Sequence, residues 1–210
     1  DVMSVRDTGW IIMFAENAQE AYDNTIMSVR IAEENMLPTM PALDGFITTH
    51  SIARGEMMDD ATVAEFVGEY EPKHWLLDTD NPVSVGNFSN IGNSYLKIKK
   101  AERDAIDAAK DSIQRIGDEW EALSGRKYRH VEGWGMEDAE YAIVILGSAA
   151  GNARALARKR RANGEKVGVV NLRTYRPFPA KELTEMLKGV KAVAVMDRAE
   201  SFGAVAGPLA

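Results

Sequence analysis

Cysteine is absent from all 210 residues of this chain. That removes disulfides, thiolate zinc sites and any iron–sulfur cluster ligated by the chain itself. A basic surplus is missing too: the formal net charge is -7 and the pI is near 5.1. Such a balance argues against a nucleic-acid surface. No apolar run approaches the roughly 18–20 residues of a membrane span, so no membrane contact is expected. The opening residues Asp1-Val2-Met3-Ser4-Val5-Arg6 lack the basic start and apolar core of a signal peptide. His50, His74 and His130 stand far apart, without metal-ligand spacing. No G-x-G-x-x-G, no Lys-bearing phosphate loop and no G-x-S-x-G occurs. No residue declares itself a catalyst.

What is present is an ordinary globular composition, 45% hydrophobic and 27% charged, long enough for one large domain or two small ones. Trp10–Ala15 is a short apolar run, too uniform for a strand with one wet face, and predicts a buried strand of a parallel sheet. Asn17 is placed to cap a helix from Ala18 to about Glu34, with Glu20 as capping-box partner. That helix's apolar face is expected to be Ala21, Tyr22, Thr25, Ile26 and Val29. Met36–Leu43 reads as a strand whose Pro38 and Pro41 confine it to an edge or an irregular course. Asp59-Asp60 caps a short helix through Phe66. Residues 69–93, rich in Pro, Asn, Asp and Gly, read as an extended loop. A long helix then spans about Leu96 to Leu123, with one stripe of Ile106, Ala109, Ile113, Ile116, Trp120 and Leu123 and a charged remainder.

From Met136 onward, strands at Tyr141–Leu146, Val167–Leu172 and Ala192–Met196 alternate with helices at about Asn152–Asn163 and Ala180–Lys188. Right-handed crossovers would make this a parallel sheet. The expected division is 1–95, a linker helix and loop over 96–136, and 137–210. Both ends of the chain fall close to sheet strands, so the expectation is a piece of something longer.

Three clusters invite a chemical reading. Gly147–Asn152 turns from strand to helix, where backbone N–H groups suit a phosphate, although a tight turn for close helix–strand packing is the plainer reading. Arg173, Arg176 and Arg198 all follow strands, at the sheet edge where ligands of open α/β folds bind, yet guanidinium groups also suit interfaces. Asp44-Gly45-Phe46 joins Asn17 at the C-terminal ends of neighbouring strands, with a locally bonded turn as the plainer reading.

Taken in order, DVMSVRDTGW, Asn17-Ala18-Gln19-Glu20-Ala21-Tyr22-Asp23, LDGFITTH, GRKY, DAEYAIVILGS, LRTYRPFP and MDR…FGAVAGPL resemble the 2-oxoacid:ferredoxin oxidoreductases, the pyruvate-oxidising members above all. The resemblance covers essentially the whole chain. It implies the α subunit or α-type domains of such an oligomeric, cytoplasmic enzyme. Residues 1–95 would be the later part of a thiamine-diphosphate pyrimidine-type domain. Residues 137–210 would form a transketolase C-terminal-like parallel-sheet domain. It implies decarboxylation of pyruvate on thiamine diphosphate, transfer of the acetyl group to coenzyme A, and electrons passing through iron–sulfur clusters of partner domains to ferredoxin. The family's activating glutamate and substrate-binding arginine belong to a stretch preceding Asp1. Thiamine diphosphate and Mg²⁺ would be shared with another domain or subunit. No catalytic or metal-binding residue then carries over. By geometry alone, Asn17, Asp44, Gly45, Phe46 and His50 are the residues expected to line the cofactor cleft. The alternatives are a relative acting on another 2-oxoacid, a non-catalytic assembly module using Arg173–Pro179 as its interface, and a nucleotide binder using Gly147–Gly151.

Overall fold

A computed structural model describes residues 1–86 and 94–210. After a 3-10 turn at Val2–Val5 come β1 (Ile11–Phe14), α1 (Ala18–Asn35), β2 (Thr39–Ala42), α2 (Asp60–Val67) and the long α3 (Ser94–Ser124). β3 (Val131–Trp134), β4 (Tyr141–Ile145), α4 (Ala149–Ala162), β5 (Val167–Leu172), β6 (Thr174–Arg176), α5 (Ala180–Met186) and β7 (Ala192–Val195) follow. The chain is α/β throughout. Residues 69–86 form neither helix nor strand, and 87–93 of the expected loop lie outside the described residues. Among the described residues, no helix is long and apolar enough to cross a membrane.

Two sheets form, in the orders β2-β1-β6 and β3-β5-β4-β7. The parallel pairings expected from the sequence exist: β1 with β2, and β4 with both β5 and β7. Each sheet is nevertheless mixed, because β6 runs antiparallel to β1 and β3 antiparallel to β5. Neither extra strand was legible. β3 lies in the stretch read as helix and linker, and β6 lies in the Arg-aromatic-Pro segment read as a loop. β2 holds the edge position that its prolines require.

β5 and β6 are one run of chain interrupted at Arg173. The Arg173 N–H donates to the His130 carbonyl (2.9 Å) while its own carbonyl accepts from Phe14 N–H (2.7 Å). A single residue thus joins the end of one sheet to the end of the other.

Alternation along β1 explains its uniform apolarity. Ile11 and Met13 face a core built with Met27 and Ile31 of α1, Phe66 of α2, and Ile106, Ala109, Ile113, Ile116 and Trp120 of α3. Ile12 points the other way, into a core shared with Val144, Val170, Leu172 and Tyr175. The first strand is therefore buried on both sides by different units. α4 covers the remaining face of the second sheet over Ile145 and Val169. The α3 stripe is buried as spaced, except Leu123, which is 47% exposed. Gly117 joins it because a Cβ there would lie 3.0 Å from the Tyr128 carbonyl.

α1 departs most from expectation. Its buried face is Asp23, Asn24, Met27, Ser28 and Ile31, whereas Thr25 and Val29 face outward. Polar residues displaced apolar ones because charged partners await them inside.

Trp120 is fully buried and meets Phe66 edge-on at 4.9 Å between ring centroids. Replacing it with Ala should cost about 3–5 kcal/mol, read as a lower urea midpoint with an unchanged slope. A loss below about 1 kcal/mol would mean that α3 is not a core element.

Candidate functional site

Where the strands of the first sheet end, two carboxylates reach across to α4. Glu16 follows β1 and Asp44 follows β2, two parallel strands in register. Asp44 accepts the Ser148 N–H at 2.6 Å and pairs with the Arg198 guanidinium. Glu16 is buried; it accepts from Arg154 Nη1 at 2.7 Å and from Asn171 Nδ2 at 3.3 Å.

The glycines of the Gly147–Gly151 turn make this approach possible. Gly147 has φ +66°, and a Cβ there would sit 2.8 Å from Asp44 Oδ2. A Cβ on Gly151 would sit 3.1 Å from Glu16 Oε1. The helix terminus does attract an anion, as its dipole dictates. The anion is the chain's own carboxylate, which answers the phosphate reading of this turn.

Behind these contacts lies a buried charge network. Asn17 caps α1 by accepting Glu20 N–H at 3.0 Å, and Glu20 Oε2 accepts Glu16 N–H at 2.7 Å. The other Glu20 oxygen lies 2.6 Å from Arg173 Nη1. Arg173 is only 4% exposed. It also pairs with Glu132 at 3.5 Å, donates to Asn24 Oδ1 at 3.3 Å and stacks over the Tyr128 ring at 4.3 Å. One turn on, Asp23 is fully buried and accepts Arg126 Nε at 2.6 Å, Arg126 Nη2 at 2.9 Å and the Tyr128 hydroxyl. Burial, reinforced by that carboxylate, pushes the Tyr128 phenol well above its usual range and keeps it a donor. Burial also raises Glu132, with Arg173 opposing.

His130 completes the seam. Its Nε2 lies 3.1 Å from the Lys110 carbonyl, an acceptor only, so Nε2 carries the proton. Nδ1 then accepts from Thr174 Oγ1 at 3.0 Å. Burial lowers its pKa, partly countered by the Lys110 carbonyl and by Glu182, with Lys110 pushing further down and Asp111 up.

The outward face of this region is the turn from Asp44 to His50. Phe46 has φ +62° and is 77% exposed; its ring stacks on His50 at 4.6 Å with an interplanar angle of 21°. Thr49 Oγ1 accepts Phe46 N–H at 2.9 Å and lies 2.6 Å from His50 Nδ1. Of the five residues expected to line a cleft, the structure thus brings Phe46 and His50 together. It turns Asp44 onto the second unit and spends Asn17 on a helix cap. A Cβ on Gly45 would meet nothing within 4 Å.

The arginines separate. Arg173 lies inside the seam, Arg176 donates to the Arg6 carbonyl at 3.2 Å and to Asp7 at 3.3 Å, and Arg198 reaches Asp44. The LRTYRPFP segment is an interface, but between the chain's own sheets: Arg173, Thr174 and Tyr175 are all buried. Sequence reasoning missed Glu16, Glu20, Asp23, Arg126 and Arg154 as anchors. For the acids the signal was the spacing Glu16, Glu20, Asp23 running from the helix cap into its first turns; for Arg126 and Arg154 there was none.

Two family models match. Residues 1–118 match the pyruvate flavodoxin/ferredoxin oxidoreductase, thiamine diphosphate-binding family, and 139–210 match core domain II of pyruvate:ferredoxin oxidoreductase. Pyruvate synthase subunit PorA of Thermotoga maritima is 44% identical over 208 residues, covering 98% of this chain and 53% of that protein. Ketoisovalerate oxidoreductase subunit VorA of Pyrococcus horikoshii is 37% identical over 97% of this chain and 52% of its own length. The chain spans about half the length of the curated relatives it matches. The solved 2-oxoglutarate:ferredoxin oxidoreductase of Magnetococcus marinus superposes with a TM-score of 0.55 at 18% identity, over 89% of this chain and 34% of its own. That likeness speaks to fold.

Removing Arg173 as Arg173→Met leaves Glu20 and Glu132 without their cation, and should cost about 3–5 kcal/mol in urea unfolding. The double variant Arg173→Met with Glu20→Gln should recover part of that loss; strict additivity would contradict the pairing. For His130 the folded pKa lies below the unfolded value of about 6.5, so its stabilisation is complete above that pH. It fades as pH falls through about 6.5 toward the folded pKa. Melting temperature should drop between about pH 7.5 and about pH 5, and His130→Gln should flatten the drop. An unchanged slope would show that His130 is not the titrating group.

Proposed function

The chain belongs to the pyruvate flavodoxin/ferredoxin oxidoreductase family, and we propose that it serves as part of the thiamine-diphosphate-binding component of a cytoplasmic pyruvate oxidoreductase. The complete enzyme would convert pyruvate to acetyl-CoA and CO₂ and pass the electrons to ferredoxin. The observation that carries this reading is the 44% identity to a pyruvate synthase subunit across 98% of the chain. In this reading residues 1–95 belong to the cofactor-side domain and 137–210 to the second domain, joined by the α3 linker region.

The geometry supports a component rather than a self-sufficient catalyst. Glu16, Glu20, Asp23 and Asp44 already hold arginines or backbone N–H groups. Among the described residues, no group of three or more His, Asp or Glu converges in a way that would hold a metal.

The fit to thiamine diphosphate is correspondingly partial. The exposed, stacked Phe46–His50 rings offer flat surface to a heteroaromatic ring. The α4 terminus, which would suit a diphosphate, holds Asp44 instead. We therefore assign the diphosphate and Mg²⁺ contacts, and the iron–sulfur clusters, to other domains or subunits. When bound, thiamine diphosphate supplies the nucleophilic carbon and the electron-accepting ring that 2-oxoacid decarboxylation needs. This chain's part is to wall the cleft, orient the ring and exclude water.

A second reading, another 2-oxoacid as substrate, is favoured by the 37% identity to a ketoisovalerate oxidoreductase subunit. One assay separates the readings. The chain alone should not reduce an electron acceptor with pyruvate and coenzyme A, and activity should appear on assembly with its partner subunits. In that assembly kcat/KM for pyruvate should exceed that for 2-ketoisovalerate by about tenfold or more. Turnover by the isolated chain would overturn the component reading; a preference for 2-ketoisovalerate would overturn the substrate.

A further inference from the structure

Two non-glycine residues among those described have positive φ, Met36 and Phe46. Met36 needs no special account, because it terminates α1 in the left-handed conformation that ends many helices. Phe46 does. A left-handed backbone disfavours any side chain with a Cβ, and an aromatic one buries little to offset it when exposed. Glycine stands next door at position 45, where nothing crowds a Cβ and no positive φ is needed. A turn selected for stability would have these two residues exchanged. The strained position instead carries an exposed ring, stacked on a second exposed ring.

The turn is held partly from within, by Phe46 N–H donating to Thr49 Oγ1 at 2.9 Å and His50 N–H donating to the Phe46 carbonyl at 3.1 Å, and partly from the other unit. Asp44, two residues before Phe46, is fixed by the Ser148 N–H at the head of α4 and by Arg198 after β7. Three strand ends, those of β2, β4 and β7, therefore meet at one carboxylate.

We infer that Asp44 is a positioning residue: it couples the second unit to the pose of the Phe46–His50 pair, which presents its rings to the thiamine ring of the cofactor. The inference rests on the cofactor-cleft reading given above. It adds that the second unit sets cofactor affinity through Asp44.

The test is a fluorescence-quenching titration of thiamine diphosphate into the assembled enzyme, with melting temperature as a parallel readout. Phe46→Ala and Asp44→Asn should each raise the half-saturating concentration about three- to tenfold. Arg198→Gln should behave like Asp44→Asn, while Arg198→Lys, which keeps the charge, should stay within about twofold of the parent. At saturating cofactor, kcat of Asp44→Asn should return to within about twofold of the parent, as expected for lost positioning rather than lost chemistry. If Phe46→Ala weakens binding and Asp44→Asn does not, the positioning role falls and the cleft reading stands. If neither weakens binding, the cleft reading falls and takes the inference with it. Weakening by Asp44→Asn alone would also sink the inference, since the rings would then not be what Asp44 positions. Should Asp44→Asn fail to fold, Phe46→Gly decides: it should bind cofactor more weakly while melting at the same temperature or higher. A lower melting temperature would mean that Phe46 serves the fold.

Discussion

Everything in this molecule turns on the Glu20 carboxylate, which is asked to do two things at once. One oxygen closes the N-terminus of α1 against Glu16 N–H, and the other faces Arg173 between two sheets. The first contact fixes where the helix starts after β1; the second fixes where β5 becomes β6. Because Arg173 also bonds through its backbone to His130 and Phe14, the ends of both sheets are set by one ion pair. Move Glu20 by one residue along the helix and Arg173 keeps only the longer pairing with Glu132 at 3.5 Å, and the helix start loses its tie to the strand crossover.

Burying that many charges is not an obvious route to stability. Each ion gives up hydration worth several kcal/mol, and a well-packed apolar substitute is often as stable. The seam already has an apolar core in Ile12, Val144, Val170, Leu172 and Tyr175, which suffices to drive association of the sheets. What apolar contact does not supply is direction. Greasy surfaces slide, whereas Arg126 gripping Asp23 with two nitrogens, and Arg154 gripping Glu16 in the same way, each admit one arrangement. On these grounds the network's contribution is alignment: the apolar core holds the units together and the ion pairs say how.

Much of this was legible in the sequence, and the boundary of legibility has a physical cause. The α3 stripe, the Asn17 cap and the edge position of β2 follow from local rules of period, capping and proline chemistry. The parallel strands of the second unit follow from βαβ grammar. What escaped was every feature needing a partner distant in sequence. β3 and β6 are short and exist because β5 and β1 offer them open edges. The inner face of α1 was misassigned because Asp23 and Asn24 look like solvated residues until Arg126 and Arg173 are known to stand opposite. At the candidate site the turn Asp44-Gly45-Phe46 was readable as a strand-end turn. That its aspartate would leave the turn to plug the α4 terminus was not readable, because Gly147 reveals its purpose only when the two strand ends are brought together.

The same comparison separates structural glycine from structural strain. Gly147 takes positive φ and makes room for a carboxylate, so its identity is explained by what it touches. Phe46 takes positive φ while its ring meets the His50 ring beside it and its backbone bonds within the turn, to the Thr49 hydroxyl and the His50 N–H. A fold optimised in isolation would relieve such a position first, since the change costs only the stack on one exposed ring. Strain that packing does not demand is a mark of an outward purpose. It lies where a parallel sheet directs its ligands, beyond the carboxyl ends of β1 and β2. The charged seam behind it then has a function beyond holding two units together, because Asp44, anchored from the second unit, joins the turn's own hydrogen bonds in letting an otherwise unfavourable backbone persist at the surface.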